Sequence, residues 1–216
     1  MPDKKRILCF GDSLTWGLDP ETLQRFPEES RWPKVLEKEL AGAFTVIEEG
    51  QNGRTVATDD PAEGEKNGIR YIGPCLESHS PLAYVVIMLG SNDCKRKYSY
   101  AAMDIGGEMK LFLEKVIAYD HFRCNDSFRV ILISPPLISG AICGSWLGDI
   151  FGYENAVKVS SEIASWYREL CCQYKCHFIN AAEYGVKTSA ADGLHLDAEN
   201  QRKLGKAVAE YIRGLE

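Results

Sequence analysis

Five short apolar runs, each closed by turn residues and separated from the next by a segment of different periodicity, constrain this chain more than any other feature. The runs cover residues 6–10, 44–49, 83–89, 129–134 and 177–180 and are rich in Val, Ile and Phe. Runs of that kind suit strands buried on both faces. Segments 32–40, 68–78, 101–122 and 154–174 place their apolar residues at helical spacing. A last one opens with Asp197 and Glu199 and brings Leu204, Val208, Tyr211 and Ile212 to one face. Buried strands alternating with helices predict a parallel sheet covered on each side, and right-handed crossovers leave few topologies. The expectation is a three-layer α/β fold in a single domain, residues 1–216. In such sheets ligands bind at the carboxyl ends of the strands, so the chemistry should follow directly after each strand.

Charge and composition remove several classes of function. The 31 acidic and 25 basic residues leave a net charge of -6, which disfavours a polyanionic partner such as nucleic acid. Only four apolar residues, Ile7 to Phe10, precede Gly11-Asp12, too few for the core of a secretory signal; a cytoplasmic location is expected. Residues 130–148 are uncharged and about as long as a membrane-spanning helix, but Pro135-Pro136 and scattered Ser and Gly interrupt them. They read better as a strand and a loop, so no membrane partner is expected. Eight cysteines in a chain with a full core and no signal are read as free thiols. Cys171, Cys172 and Cys176 have only His177 nearby and lack the spacing of a metal site; no metal is expected.

Four strand ends carry residues of a chemically useful kind. After the first strand comes Gly11-Asp12-Ser13-Leu14-Thr15-Trp16-Gly17, where Ser13 is either a nucleophile or, with Asp12, a helix cap. A serine nucleophile needs a histidine oriented by a carboxylate. His79, His121 and His177 lack a suitable loop, whereas Asp192-Gly193-Leu194-His195 holds both groups between the fifth strand and the last helix. Read alone, it is a solvated loop histidine beside a turn aspartate. Acyl transfer also needs donors for an oxyanion, and Gln51-Asn52-Gly53-Arg54-Thr55 and Gly90-Ser91-Asn92-Asp93 offer a close-approaching backbone at Gly53 and an amide at Asn92. Each of these, taken singly, is also an ordinary turn.

Taken together, the four blocks resemble the GDSL, or SGNH, hydrolase family: Ser13 in GDSLTWG, Gly53 in QNGRT, Asn92 in GSND, and His195 with Asp192 in DGLHL, in that order from residue 11 to residue 195. The resemblance implies a flavodoxin-like three-layer fold and a Ser13–His195–Asp192 triad. It also implies an oxyanion hole from the Ser13 N–H, the Gly53 N–H and the Asn92 side chain, with no metal or organic cofactor. The wider sequence is similar to the arylesterase and acyltransferase/perhydrolase branch, which implies small acyl-ester substrates, transfer to alcohols or peroxide in some members, and a homo-oligomer. Carbohydrate O-deacetylases, lysophospholipases and thioesterases of the same family are the alternatives. A noncatalytic ligand-binding relative would be expected to lack Ser13 or His195, and both are present. A nucleotide-binding protein would need a Walker A or G-x-G-x-x-G sequence after a strand, and none occurs. Because the base must be neutral to take a proton, activity is expected to fall on acidification.

The segment 137–151 stands apart. Gly140, Gly144, Gly148 and Gly152 recur every fourth residue, with Ile142, Trp146, Leu147 and Phe151 between them. Asp149 and the double proline point to a long loop that lines the acyl pocket, covers a partner subunit or simply folds over its own domain.

Overall fold

The computed structural model describes residues 4–123 and 128–216, without the side chains of 121–123; the His121 side chain therefore lies outside the described residues. The five apolar runs form β1 (Lys5–Gly11), β2 (Phe44–Gly50), β3 (Tyr84–Met88), β4 (Arg129–Ser134) and β5 (His177–Asn180). All pair in parallel, in the order β2-β1-β3-β4-β5. Successive side chains alternate between the two faces, and this divides the core. Leu8, Phe10, Val85, Ile87, Val130 and Leu132 enter one cluster, and Ile7, Cys9, Tyr84, Val86, Ile131 and Ile133 enter the other.

Helices cover both faces. They are α1 (Ser13–Trp16), α2 (Trp32–Glu39), α3 (Gly68–His79), α4 (Ala102–Arg123), α5 (Gly148–Phe151), α6 (Glu154–Tyr174) and α7 (Ala198–Arg213). Residues of α3, α4 and α6 pack into the first cluster, and those of α2 and α7 into the second. Asp197 starts α7 as foreseen, its side chain accepting from the Asn200 N–H at 2.8 Å. A buried amide ties the second face together: Gln201 accepts from the Trp32 N–H at 2.9 Å and donates to the Leu14 carbonyl at 3.0 Å.

The register sets where the site can form. Gly11 lies beside Gly50 on one side and Met88 on the other, at the carboxyl edge of the sheet. Because β1 sits between β2 and β3, the chain leaves the sheet in opposite directions there, the crevice in which doubly wound folds bind ligands. Ser13, Gly53 and Asn92 all follow that row within a few residues. The segment expected to be a long loop contains instead a 3-10 turn, Gly140–Gly144, and the single-turn α5. Among the described residues no helix is long and apolar enough to cross a membrane, and Cys9, Cys75, Cys94, Cys143, Cys171, Cys172 and Cys176 are free thiols.

Candidate active site

Ser13 is the first residue of α1, and Asp12 caps that helix by accepting from the Leu14 N–H at 2.9 Å. The capping alternative and the chemical one therefore fall on different residues: Asp12 caps, and the Ser13 hydroxyl is left to face the cavity. Its Oγ stands 2.9 Å from His195 Nε2. On the far side of the ring, His195 Nδ1 is 2.6 Å from Asp192 Oδ2. Asp192 Oδ1 accepts from the backbone N–H groups of Leu194 and His195, both at 2.9 Å. Burial pushes this carboxyl up, yet the His195 bond and charge with the two N–H groups hold it below the usual carboxylate range. An ionised Asp192 can only accept, so Nδ1 carries the proton and Nε2 is the acceptor for the serine O–H. Ser13, Asp192 and His195 are all buried.

The loop that holds the base is bolted to the segment beside it. Gly193 has φ 75°, and a Cβ there would meet the Ile142 backbone nitrogen at 2.2 Å, so no other residue fits. The Ser139 N–H donates to the Gly193 carbonyl at 2.9 Å, and Ser145 Oγ donates to the Asp192 carbonyl at 3.1 Å.

Asn92 is buried, and its Nδ2 donates to the Arg54 carbonyl at 3.2 Å and to Asp12 Oδ2 at 3.3 Å. Both bonds are long, so an amide hydrogen can be shared with, or turned toward, a negative oxygen in the cavity. The N–H groups of Ser13 and Gly53 have no acceptor among the described residues. Gly53 has φ 82°, and a Cβ there would lie 2.5 Å from Glu63 Oε2. Ser13, Gly53, Asn92 and His195 line one cavity of about 360 Å³.

Part of the 137–151 segment lines this cavity, one of the roles expected for it, and the structure adds Leu18, Leu23, Glu63, Lys66 and Lys95, which no sequence motif marks. Leu18, Leu23, Trp146, Leu147, Ile150 and Phe151 form an apolar wall, and Glu63, Lys66 and Lys95 form a charged flank. Lys95 is itself buried, with its Nζ 2.5 Å from Glu63 Oε1. Its place three residues after Asn92, beyond a strand end, was the available signal. The remaining histidines lie elsewhere: His79 Nε2 is 2.8 Å from Glu49, and His177 meets the Tyr211 ring edge-on at 6.0 Å.

The described GDSL-like lipase/acylhydrolase family has a model that matches residues 9–203, a span containing every block that builds this cavity. The chain belongs to that family. Solved structures agree with the assignment. An aryl esterase from M. smegmatis is 37% identical, with 98% of this chain and 100% of that one covered and a TM-score of 0.91. Est24, a carbohydrate acetylesterase from Sinorhizobium meliloti, is 32% identical over 99% of this chain and 100% of its own, with a TM-score of 0.92. A second carbohydrate acetylesterase family member from the same organism is 34% identical over 97% and 98%, with a TM-score of 0.87. Among curated proteins nothing matches. This GDSL-family protein is a carboxylic ester hydrolase, with the three-layer fold of its neighbours.

Proposed function

We propose that the hydrolase cleaves short-chain acyl esters through Ser13, with His195 as general base and then general acid and Asp192 orienting the ring. The observation that carries this reading is the continuous chain from Ser13 Oγ through His195 to Asp192. It opens into the cavity that also holds Gly53 and Asn92. In the first step His195 Nε2 takes the hydroxyl proton as Oγ bonds to the ester carbonyl carbon. The carbonyl oxygen becomes an oxyanion, held by the Ser13 and Gly53 N–H groups and the Asn92 amide. The carbon–alkoxide bond then breaks, and His195 gives its proton to the leaving alcohol. Water, or another acceptor hydroxyl, repeats the sequence on the acyl-serine and restores the free enzyme. No step needs a metal or organic cofactor.

A cavity of about 360 Å³ with an apolar wall favours a small acyl group. The charged flank of Glu63, Lys66 and Lys95 supports a second reading, a polar alcohol such as a sugar, in line with the similarity to Est24. A fluorophosphonate should label Ser13 alone and abolish turnover, and Ser13→Ala should be inactive. Labelling at another serine, or turnover by that variant, would sink the assignment. A chain-length series of aryl, alkyl and sugar esters, run with and without added alcohol or peroxide, distinguishes hydrolysis from acyl transfer and assigns the alcohol.

A further inference from the structure

Behind the ester cavity, β2 and α3 bring together three side chains that the hydrolysis does not use. Cys75 and His79 are four residues apart on α3, so one helical turn sets them on the same face. Glu49 is the last residue but one of β2. Their thiol sulfur, imidazole nitrogen and carboxylate oxygen all lie within 4.8 Å of one another. His79 Nε2 and Glu49 Oε1 already touch at 2.8 Å. Cys75 is buried, whereas the side chains of His79 and Glu49 keep 27% and 19% of their surface open. The opening from Glu49 leads to a groove lined by Gln51, Arg54 and Tyr71. Cys171, Cys172, Cys176 and His177 gather no such set among the described residues.

A sulfur, a nitrogen and an oxygen converging from two elements make the donor set of a borderline divalent ion, not of magnesium or calcium, which take oxygen. Around zinc the bonds are about 2.3 Å to sulfur and about 2.0–2.2 Å to nitrogen and oxygen, so the ligand atoms stand roughly 3.3–3.8 Å apart. The closest pair here is tighter than that and the widest looser, each by about 1 Å or less. Rotation of the two partly open side chains closes the difference.

We propose that Glu49, Cys75 and His79 form a binding site for a zinc-class divalent transition-metal ion, its fourth position facing the groove. On binding, the Cys75 S–H bond breaks, a sulfur–metal bond forms and the proton passes to solvent. The proton shared by His79 Nε2 and Glu49 Oε1 is released from between them, the neutral imidazole keeping one proton on Nδ1 by exchange with solvent, and the two freed atoms bond to the metal. The Arg54 guanidinium, which lines the same groove as Glu49, repels the incoming cation, so the site selects ions that gain strongly from sulfur. A bound ion ties α3 to the end of β2. None of the three ligands lines the Ser13 cavity.

The test is a cobalt(II) titration of the full chain without an affinity tag, reduced with a phosphine and freed of small thiols. One equivalent should produce a near-ultraviolet thiolate charge-transfer band with tetrahedral visible absorption, and zinc(II) should displace both. Cys75→Ser should lose the band, while Cys172→Ser, which removes an exposed competitor, should keep it. Loss of an outer-shell partner alone costs about 10–100-fold in metal affinity, so His79→Gln should weaken cobalt binding at least tenfold. That variant carries the test if Cys75→Ser fails to fold. Absence of the band in the parent, its survival in Cys75→Ser, or unchanged affinity in His79→Gln overturns the proposal. Ester turnover does not enter the readout, so failure here leaves the reading of Ser13 standing.

Discussion

At the scale of single residues, Asn92 is the most informative position, because it has a resting role as well as the proposed catalytic one. Its amide links the Arg54 carbonyl to Asp12. Burial lifts the Asp12 carboxyl to about 6, against the opposing effects of the Leu14 N–H, His195, Arg54 and the Asn92 amide itself. Asn92→Ala removes a donor whose counterpart elsewhere is worth about 10²–10³ in kcat. The expected outcome is a kcat loss in that range with KM little changed, and a melting temperature lowered only by the loss of two long hydrogen bonds. A kcat within about threefold of the parent, far short of that range, would move the oxyanion to backbone groups alone. The grouping of Ser13, Gly53, Asn92, Asp192 and His195 at one end of the sheet was legible only from the four blocks taken together, since each alone reads as a cap, a turn or a solvated loop. Glu63, Lys66 and Lys95 were not, since a charged residue in a loop looks the same whether it faces solvent or a cavity.

Among the elements, the excursion between β2 and α3 is held to the segment after β3 by charge. Asp60 is buried, accepts from Tyr98 Oη at 2.5 Å and pairs with Lys97. Desolvation opposes ionisation, but these two partners win and hold the Asp60 carboxyl down to about 2. A depressed carboxyl contributes stability above its unfolded value of about 3.9 and loses it as the pH falls toward the folded one. Allowing for the exposed lysine, the contribution is on the order of 1–2 kcal/mol. Asp60→Asn should therefore cost about that much in urea unfolding at pH 7 and much less at pH 2; an equal deficit at both would mean packing, not charge. Strand positions were legible to within a residue or two because five buried runs have few other uses. The 137–151 segment was not: its glycines and the double proline before it mark an irregular path, while the Gly140–Gly144 turn is set by its contacts with the loop of Asp192 and α5 packs on that turn.

For the whole molecule, the apolar wall of the cavity continues onto the surface, where Leu23, Trp146 and Ile150 are exposed together around its mouth. Contiguous apolar surface of this kind marks association, so a homo-oligomer is expected by light scattering. Trp146→Ser should weaken it, and a monomeric parent would refute the expectation. The sheet order could be narrowed from the sequence by handedness alone. Meetings of distant residues, such as Glu49 with Cys75 and His79, or Gln201 with Trp32 and Leu14, could not, because no local spacing encodes them. The contact between Gly193 and Ile142 reaches furthest. It makes the wall of the cavity and the loop of the base a single mechanical part, so inserting or deleting residues over 139–145 displaces Asp192 and His195 as well. Descendants of this chain can therefore diversify their substrates by exchanging side chains at Leu18, Leu23, Trp146 and Ile150, while the length of that segment stays frozen by the chemistry it touches.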